Sequence, residues 1–486
     1  MTETPTNSLK RNAVGTIGIA FFVLAFAAPL TGIVGIGPIV LGKGGSPGAP
    51  GIFLITTVIL LIFSVGFAAM SRTHSGPGGF AVYIGTAFGP RAARGAAHIA
   101  VIGYTAFLVA NIALLSASAA GIISSRFGLN LPWWTYAIVT LAVLAILGYR
   151  EVKLSVRVLG VLLVAEIVIV LILDASVLGK GGAEGTSLTG FSPTAITTGG
   201  VGIVFLMAFA AFVGFEATTL FGEEAKDRHR TIPRATYLAV GIVGVFYILS
   251  MWVLQLAWGP SHVAAAASGD ATNFLFTVNT RFVGLWSTDV MQVLVITSML
   301  AACLSAHGAL SRYLFSMGRA GTLPPRLGTT HPRMRSPHIA SITQTVVTTI
   351  IVAAMILTGA NPLGVVYPWL AGIGSVAILL LYVLASLAVI RALRRSSNPP
   401  SIWVSTIAPA IAMVALTGVL VLSIINYGFL TGSTNPVVNS LWVIAPILGI
   451  VGFILPRRAS ATTVGVPVND AMEANPTSQN QLRDVH

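Results

Sequence analysis

Long apolar runs alternate with short polar segments along the chain. Each run approaches or exceeds the roughly 20 residues that an α-helix needs to cross a lipid bilayer. The runs lie at about 14–42, 50–71, 96–124, 133–149, 154–178, 198–222, 235–258, 285–308, 338–359, 366–391, 402–427 and 438–456. The pattern therefore predicts an all-α membrane protein with twelve transmembrane helices.

The composition agrees with a chain that lies mostly in lipid. Of the 486 residues, 55% are hydrophobic and 8% are charged, whereas roughly a quarter of the residues of a soluble protein are charged. An ordinary soluble protein is therefore excluded. The polar N-terminal segment has no convincing cleavage site before the first run, so we expect no removed signal peptide.

The basic residues are distributed unevenly between the connecting segments. If the N-terminus is cytoplasmic, all but four of the 27 Lys and Arg residues fall on the cytoplasmic side, the exceptions being Lys43, Arg126, Lys180 and Arg281. This bias predicts an even number of spans and two cytoplasmic termini. It also accounts for the net charge of +13 without nucleic-acid binding, since no basic cluster is interleaved with aromatic residues.

The first run contains helix-breaking residues well inside the expected span, namely Pro29, Gly32, Gly35, Gly37 and Pro38. Proline removes a backbone donor and glycine loosens the backbone. Freed backbone groups are tolerated in a membrane only where they line a cavity or meet a ligand. We expect an unwound segment over the whole cluster, although a simple proline kink or close helix packing would explain Pro29 alone.

The sixth run has a second interruption, where Phe212 and Phe215 flank Gly214 and Glu216 follows. The two interrupted runs lie five helices apart. This spacing predicts two inverted halves of five helices, and paired interrupted helices in such halves indicate the binding site of a transporter.

Three segments resemble signatures of the amino acid/polyamine/organocation permease superfamily. VGFEATTLFGEEAKDRHRTIPRA (213–235) is similar to its helix-six signature, SGPGGFAVYIGTAFGP (75–90) to the segment after helix two, and SRYLFSMGRAGTLPPRL (311–327) to the segment after helix eight. The resemblance implies a five-plus-five inverted-repeat core at 14–395, with helices eleven and twelve at 396–458. Polar tails at 1–13 and 459–486 complete the chain, and we expect the second tail to be disordered.

The same resemblance implies secondary active transport of amino acids or related amines. It also implies that the substrate carboxylate is held at the helix-one break by Thr31, Gly32 and Ile33. These residues depart from the usual glycine-rich pattern, but backbone N–H groups make the contact. The ammonium group would meet carbonyls from Phe212 to Phe215. Asn111 either lines the cavity or bonds a neighbouring helix.

Two acidic residues stand out because a carboxylate in lipid costs at least about 2–3 kcal/mol. Glu166 lies near the middle of the fifth run, with no Lys or Arg within a helical turn. It is either the proton-binding residue of coupled transport or a protonated acid with a structural role. Glu216 either responds to protons and substrate or caps the broken helix. Asp174 and Asp289 lie near outer helix ends, where we expect them to be solvated.

The charged segment after the sixth run contains Glu223. Either it is a solvated loop or it forms ion pairs, for instance between Glu223 and Arg319, that hold a cytoplasmic gate closed.

Rival classes lack their sequence signals. The eight histidines are scattered and show no metal-binding spacing, so we expect neither an enzyme, nor a metal site, nor a cofactor. The single cysteine, Cys303, is expected to be a core residue. No filter-like or charged pore segment suggests a channel, and no attached domain suggests a fixed protein partner. The prediction is therefore a cell-membrane transporter of an amino acid or amine, coupled to protons or alternatively to sodium, or working by exchange.

Overall fold

The computed structural model describes residues 15–45, 47–73, 79–149, 156–221, 227–331 and 336–455. Within these residues all regular structure is helical, as predicted. Apolar side chains face lipid or the interior, and each helix satisfies most of its backbone groups internally, as the bilayer requires. The predicted tails at 1–13 and 459–486 lie outside the described residues.

Nineteen α-helices follow one another in the described chain. They are α1 (Thr16–Ala27), α2 (Pro29–Pro38), α3 (Ala49–Thr73), α4 (Gly79–Phe88), α5 (Pro90–Phe127), α6 (Trp133–Tyr149), α7 (Val156–Lys180), α8 (Pro193–Ile196), α9 (Val201–Ala211), α10 (Arg228–Trp258), α11 (Val263–Gly269), α12 (Phe274–Phe282), α13 (Leu285–Arg319), α14 (His338–Leu357), α15 (Tyr367–Arg394), α16 (Ala408–Ile425), α17 (Tyr427–Thr431), α18 (Pro436–Asn439) and α19 (Ile444–Ile454).

Short 3₁₀ and π segments extend or join these helices. The 3₁₀ segments are Thr189–Phe191, Phe215–Phe221, Pro325–Gly328 and Leu441–Val443, and the π segments are Ile39–Lys43, Pro362–Val366 and Trp403–Ile407.

Nine helical stretches in the described residues are long and apolar enough to cross a membrane. They are Thr16–Gly42, Ala49–Ser71, Pro90–Phe127, Gly160–Lys180, Arg230–Trp258, Leu285–Arg319, His338–Leu357, Pro362–Arg394 and Trp403–Ile425. The other three predicted runs, 133–149, 198–222 and 438–456, contain the shorter apolar helices Trp133–Tyr149, Val201–Ala211 and Leu441–Ile454.

The interrupted first span lies inside the bundle. Helix α1 packs against α7, α10 and α13, and α2 packs against the same three helices and α9. Around them, α5 contacts α4, α13, α15 and α19, while α3 contacts α10 and α16. Helix α9 contacts α3, α15 and α16. The two interrupted segments are therefore packed against several other helices, where exposed backbone groups are shielded from lipid.

Candidate functional site

The first interruption is a single residue, Ala28, between α1 and α2. Ala28 has a left-handed backbone, with φ of 42° and ψ of 70°, which is uncommon for a residue other than glycine. The prediction of an unwound segment over the whole cluster from Pro29 to Pro38 is wrong, because α2 is helical from Pro29 to Pro38. Proline is well accommodated at Pro29, the first helical position, where its missing N–H needs no acceptor.

The first turn of α2 presents free backbone donors to the interior. The N–H groups of an opening turn have no acceptor within their own helix. Pro29 has no N–H, and the Gly32 N–H already donates to the Ala28 carbonyl at 3.0 Å. The N–H groups that remain free to bind another partner are therefore those of Leu30 and Thr31. The donors thus begin one position earlier than the sequence predicts, which places them at Thr31 to Ile33.

The second interruption separates α9 from the 3₁₀ segment Phe215–Phe221. Helix α9 ends at Ala211, and the N–H groups of Phe212 and Val213 turn back to the carbonyls of Phe209 and Ala210 at 3.2 Å each. Gly214 has a φ of +113°, which a residue with a side chain adopts only under strain. A Cβ at this position would overlap the ring of Phe26 in α1. The two interruptions are therefore in direct contact.

Glu216 lies directly after this break and is held by three donors. The Tyr104 and Tyr382 hydroxyls both bond to its carboxylate, the latter at 3.1 Å, and the Gly214 N–H donates to Oε2 at 3.0 Å. The residue is only 2% exposed. Glu216 thus caps the break and joins it to α5 and α15.

A cluster of six aromatic rings, which we term the aromatic cluster, adjoins this carboxylate site through Tyr382. Its closest pairs have centroids 5.0–5.6 Å apart. The members are Phe63, Phe67, Phe80, Tyr83, Phe215 and Tyr382. Phe215 therefore packs within the aromatic cluster. Phe212 packs elsewhere, with its ring centroid 6.0 Å from that of Tyr247 in α10.

Glu166 belongs to a chain of hydroxyl groups that reaches the first interruption. The Ser298 hydroxyl donates to Glu166 Oε2 at 2.8 Å, and the Thr31 hydroxyl donates to Ser298 Oγ at 3.1 Å. Helices α2, α13 and α7 thus meet through three buried side chains. A cavity of about 10 Å³ lies beside Glu166 and Ser298, which is about the space that one water molecule requires.

A larger cavity of about 230 Å³ opens beyond the first turn of α2. It begins at Val34 and Gly35 of α2 and extends between α5, the turn after α11 and the start of α15. Its lining includes Ser118, Ser268 and Tyr367. Apolar walls with a few hydroxyl groups are typical of a small-molecule site.

The remaining predicted residues are placed less centrally. Asn111 donates to the Phe107 carbonyl of its own helix at 3.0 Å, so this bond does not reach a neighbouring helix. The Arg319 guanidinium lies 5.6 Å from the Phe315 ring centroid, at the end of α13. Glu223 lies outside the described residues.

One expectation about the acidic residues is wrong. Asp174 is 2% exposed rather than solvated, and it accepts a hydrogen bond from Ser250 in α10 at 3.3 Å. The reason is that α10 covers this face of α7, which the position along the chain does not reveal. Asp289 is partly exposed and pairs with Arg126, as a residue near a helix end can do.

Ser298, Tyr104 and Tyr382 belong to the site but were not predicted from the sequence. A signal for the tyrosines is present, because both lie in the middle of apolar runs, whereas tyrosine in membrane helices concentrates at the two interfaces. A tyrosine at mid-span therefore needs an internal partner, and Glu216 is that partner here.

The described residues contain no cluster of three or more His, Cys, Asp or Glu side chains that could hold a metal ion. Cys303 is buried and is a free thiol. The carboxyl groups of Glu166 and Glu216 can be protonated reversibly, and the hydroxyl and backbone groups around them can form hydrogen bonds.

Comparison with known proteins gives one family match and several distant relatives. The profile of the amino acid permease family matches residues 18–453. The low-affinity putrescine importer PlaP of Escherichia coli K12 is 23% identical over 339 residues, which cover 67% of this chain and 71% of the importer. The branched-chain amino acid permease BcaP of Bacillus subtilis is 24% identical over 225 residues, 46% of each chain.

A third relative and a solved structure are also similar to this chain. The methylthioribose transporter of Bacillus subtilis is 29% identical over 212 residues, 43% of this chain and 42% of the transporter. The crystal structure of a mutant manganese transporter from Eremococcus coleocola superimposes with a TM-score of 0.55 at 12% identity. This match covers 93% of this chain and 99% of the other, and it identifies a shared fold.

Proposed function

The chain belongs to the amino acid permease family, and on that premise we propose that it carries an amino acid, or a closely related amine, across the cell membrane by secondary active transport. Membership confirms the family resemblance of the three sequence segments. The protein is accordingly a multi-pass membrane transporter of small molecules and not an enzyme.

We propose twelve transmembrane helices, with the first ten in two inverted halves within residues 14–395 and two more at 396–458. The contact between Phe26 and Gly214 supports this arrangement, because it joins the interrupted helices of the two halves. The distribution of Lys and Arg favours cytoplasmic termini. With this orientation, the 230 Å³ cavity faces outward and Glu216 lies on the cytoplasmic side of the breaks.

The substrate carboxylate is proposed to bind at the first turn of α2. The Leu30 and Thr31 N–H groups and the positive end of the helix dipole supply the attraction. Of the predicted residues, Thr31 contributes its N–H, while Gly32 and Ile33 shape the turn. The ammonium group is proposed to meet carbonyls that end α9, such as that of Ala211, beside Phe212 and Gly214. Asn111 remains a proposed neighbour of the substrate side chain.

Coupling to protons is proposed to run through Glu166, and the hydroxyl chain from Thr31 to Glu166 is the observation that carries this proposal. When Glu166 is ionised, Ser298 donates to it and Thr31 donates to Ser298. When Oε2 is protonated, its O–H donates to Ser298, and the Ser298 hydroxyl turns to donate to Thr31. A hydroxyl can rotate in this way because it both donates and accepts.

The reversal frees the Thr31 hydroxyl hydrogen at the turn where the carboxylate binds. Protonation of Glu166 thus adds a donor for the anionic group of the substrate. By linkage, a bound carboxylate favours protonated Glu166 to the same extent. The direction of the hydroxyl chain therefore couples substrate binding to proton binding without any direct contact between them.

The cytoplasmic gate is proposed to consist of the Glu216 site and the aromatic cluster. The bonds from Tyr104 and Tyr382 tie the inner half of the sixth span to α5 and α15. The aromatic cluster fills the space beside them. Opening inward requires these contacts to separate, and Glu216 provides a second proton-binding group. A contribution from an ion pair between Glu223 and Arg319 remains part of the proposal.

The test is uptake into proteoliposomes of radiolabelled amino acids and polyamines, with an inward proton gradient and with or without sodium. We expect accumulation that needs the proton gradient in the wild type and is lost in Glu166→Gln, while substrate binding and exchange persist. The matched control is Asp174→Asn, which alters the other buried carboxyl group of the same helix.

Each other outcome changes a particular part of the proposal. Accumulation that needs sodium would replace the proton as the coupling ion. Undiminished proton-driven uptake by Glu166→Gln would leave Glu166 a structural residue. No uptake or binding of any compound by folded wild-type protein would contradict the transport of amino acids and amines.

A further inference from the structure

Tyr247 is a buried tyrosine whose hydroxyl has no hydrogen-bond partner among the described residues. It lies in α10 and is 0% exposed. Buried hydroxyl groups are nearly always bonded, because an unpaired polar group in an apolar interior costs free energy. The hydroxyls of other mid-span tyrosines, Tyr104 and Tyr382, are bonded to Glu216. Tyr247 therefore needs an explanation.

The Tyr247 hydroxyl lies directly against the first turn of α2. A Cβ built on Gly32 would overlap the hydroxyl oxygen and the ring atoms next to it. In a helix the Cα–Cβ direction tilts towards the N-terminus. An atom in the Cβ position of Gly32 is therefore on the side of the helix start, where the Leu30 and Thr31 N–H groups lack intrahelical acceptors.

The ring of Tyr247 is held by aromatic neighbours from two other spans. Its centroid is 5.6 Å from that of Phe53 in α3 and 6.0 Å from that of Phe212 at the second interruption. The ring thus lies between the first turn of α2 and the second interruption. Its position is fixed by packing and close approach to a glycine, so no hydrogen bond is required to hold it there.

We propose that the Tyr247 hydroxyl donates a hydrogen bond to the anionic group of the substrate and that Tyr247 selects substrates with a carboxylate over amines without one. This assignment rests on the proposed function. The hydroxyl adds a side-chain donor to the backbone donors of the turn. A carboxylate has lone pairs enough to accept all of them, whereas a protonated diamine such as putrescine offers no acceptor and leaves the hydroxyl hydrogen without a partner.

Gly32 is a second determinant of the same site, because only a residue without a side chain leaves room for the hydroxyl. Gly32→Ala would displace the Tyr247 ring from the turn. We therefore expect Gly32→Ala to reproduce the selectivity change of Tyr247→Phe.

The experiment compares Tyr247→Phe with Tyr427→Phe as a matched control. Tyr427 is also buried, but its hydroxyl donates to the Trp369 carbonyl of α15 at 3.5 Å. Equilibrium binding of radiolabelled amino acids and of putrescine is measured on purified protein, together with thermal stability. Loss of one hydrogen bond to a charged group corresponds to roughly tenfold to a hundredfold in affinity.

We expect Tyr247→Phe to weaken amino acid binding by about tenfold or more, to leave putrescine binding unchanged and to keep or raise the melting temperature. Tyr427→Phe should lower the melting temperature and change neither affinity. If the Tyr247 hydroxyl had only a structural role, Tyr247→Phe would lower the melting temperature instead.

Four results would overturn the assignment. Equal weakening for amino acids and putrescine would identify a packing residue, and unchanged affinity for both would exclude any contact. Wild-type protein that binds putrescine but no amino acid would exclude the carboxylate contact while leaving amine transport intact. Protein that binds neither would contradict the proposed function itself, and with it the role of Tyr247.

Discussion

The Ser298 hydroxyl donates a 2.8 Å hydrogen bond to Glu166 Oε2 and thereby joins two residues that are 132 positions apart in the chain. Ser298 also accepts the hydroxyl of Thr31 from the first interrupted span. It is therefore the central group of the chain through which we propose that protonation of Glu166 reaches the substrate.

Ser298→Ala is expected to lower proton-driven uptake by about tenfold, because it removes a hydrogen bond to a charged group and breaks the hydroxyl chain. Ser298→Thr retains the hydroxyl and should restore most of the activity. Uptake is measured in proteoliposomes under an imposed proton gradient. Ser311→Ala, on the same helix, serves as the control, because among the described residues its hydroxyl bonds only the His307 carbonyl of its own helix. Equal losses in both alanine variants would argue against the relay.

Tyr382→Phe is expected to loosen the cytoplasmic gate, since it removes a 3.1 Å hydrogen bond to Glu216. The single cysteine, Cys303, is fully buried in α13 and reports on this change. A membrane-permeant thiol reagent should label Cys303 several-fold faster in Tyr382→Phe than in the wild type, because opening exposes the interior. Tyr427→Phe should not change the rate. A labelling rate equal to that of the wild type would contradict the gating role of this bond.

Gly214→Ala is expected to destabilise the protein by about 1–3 kcal/mol from backbone strain at positive φ, with a further cost from the overlap with Phe26. Thermal unfolding of the purified protein measures the effect. Gly241→Ala is the control, because a Cβ on Gly241 in α10 meets no atom within 4 Å. In that helix alanine should be neutral or stabilising. A melting temperature in Gly214→Ala at or above that of the wild type would mean that the break relaxes without cost.

The loop carboxylate Glu184 gives a pH dependence outside the membrane. Hydrogen bonds from Ser261, and then from His262, lower the pKa of Glu184 below its ordinary value of 4.5. A lowered pKa in the folded state means stabilisation above the unfolded pKa that is lost as the pH falls through the folded pKa. Ser261→Ala should therefore lower the melting temperature slightly at neutral pH, and the difference should vanish in strong acid.

The control is Ser125→Ala near the end of α5, because among the described residues its hydroxyl bonds the Ile122 carbonyl and no titratable group. Any change in its melting temperature should be the same at neutral and acidic pH. If Ser261→Ala also shifted stability equally at both pH values, the effect would not come from the Glu184 carboxylate.

Much of the architecture could be predicted from the sequence because it depends on local patterns. Apolar runs of membrane-spanning length predict helices, because in lipid the backbone N–H and C=O groups must hydrogen-bond to one another. All nine spans found in the described residues coincide with predicted runs. The family was also identifiable, since its signatures are contiguous segments around Gly214, Gly79 and Arg319.

The exact position of the first interruption could not be predicted from the sequence. Proline and glycine mark where a helix can break, but packing decides where it does. The break falls at Ala28, and the glycines that follow are accommodated in α2 because the hydroxyls of Tyr247 and Tyr367 fill the space beside Gly32 and Gly35.

Local sequence therefore determined that this chain spans the membrane repeatedly, that its first and sixth apolar runs are interrupted, and that it resembles permeases. Only the tertiary structure decided which groups meet at those interruptions: Ser298 with Glu166, Tyr104 and Tyr382 with Glu216, and Tyr247 with Gly32. The physical reason is separation along the chain. Helix formation and interruption depend on neighbours within a few residues, whereas the side chains that meet at Glu166 and Glu216 come from helices more than a hundred residues apart.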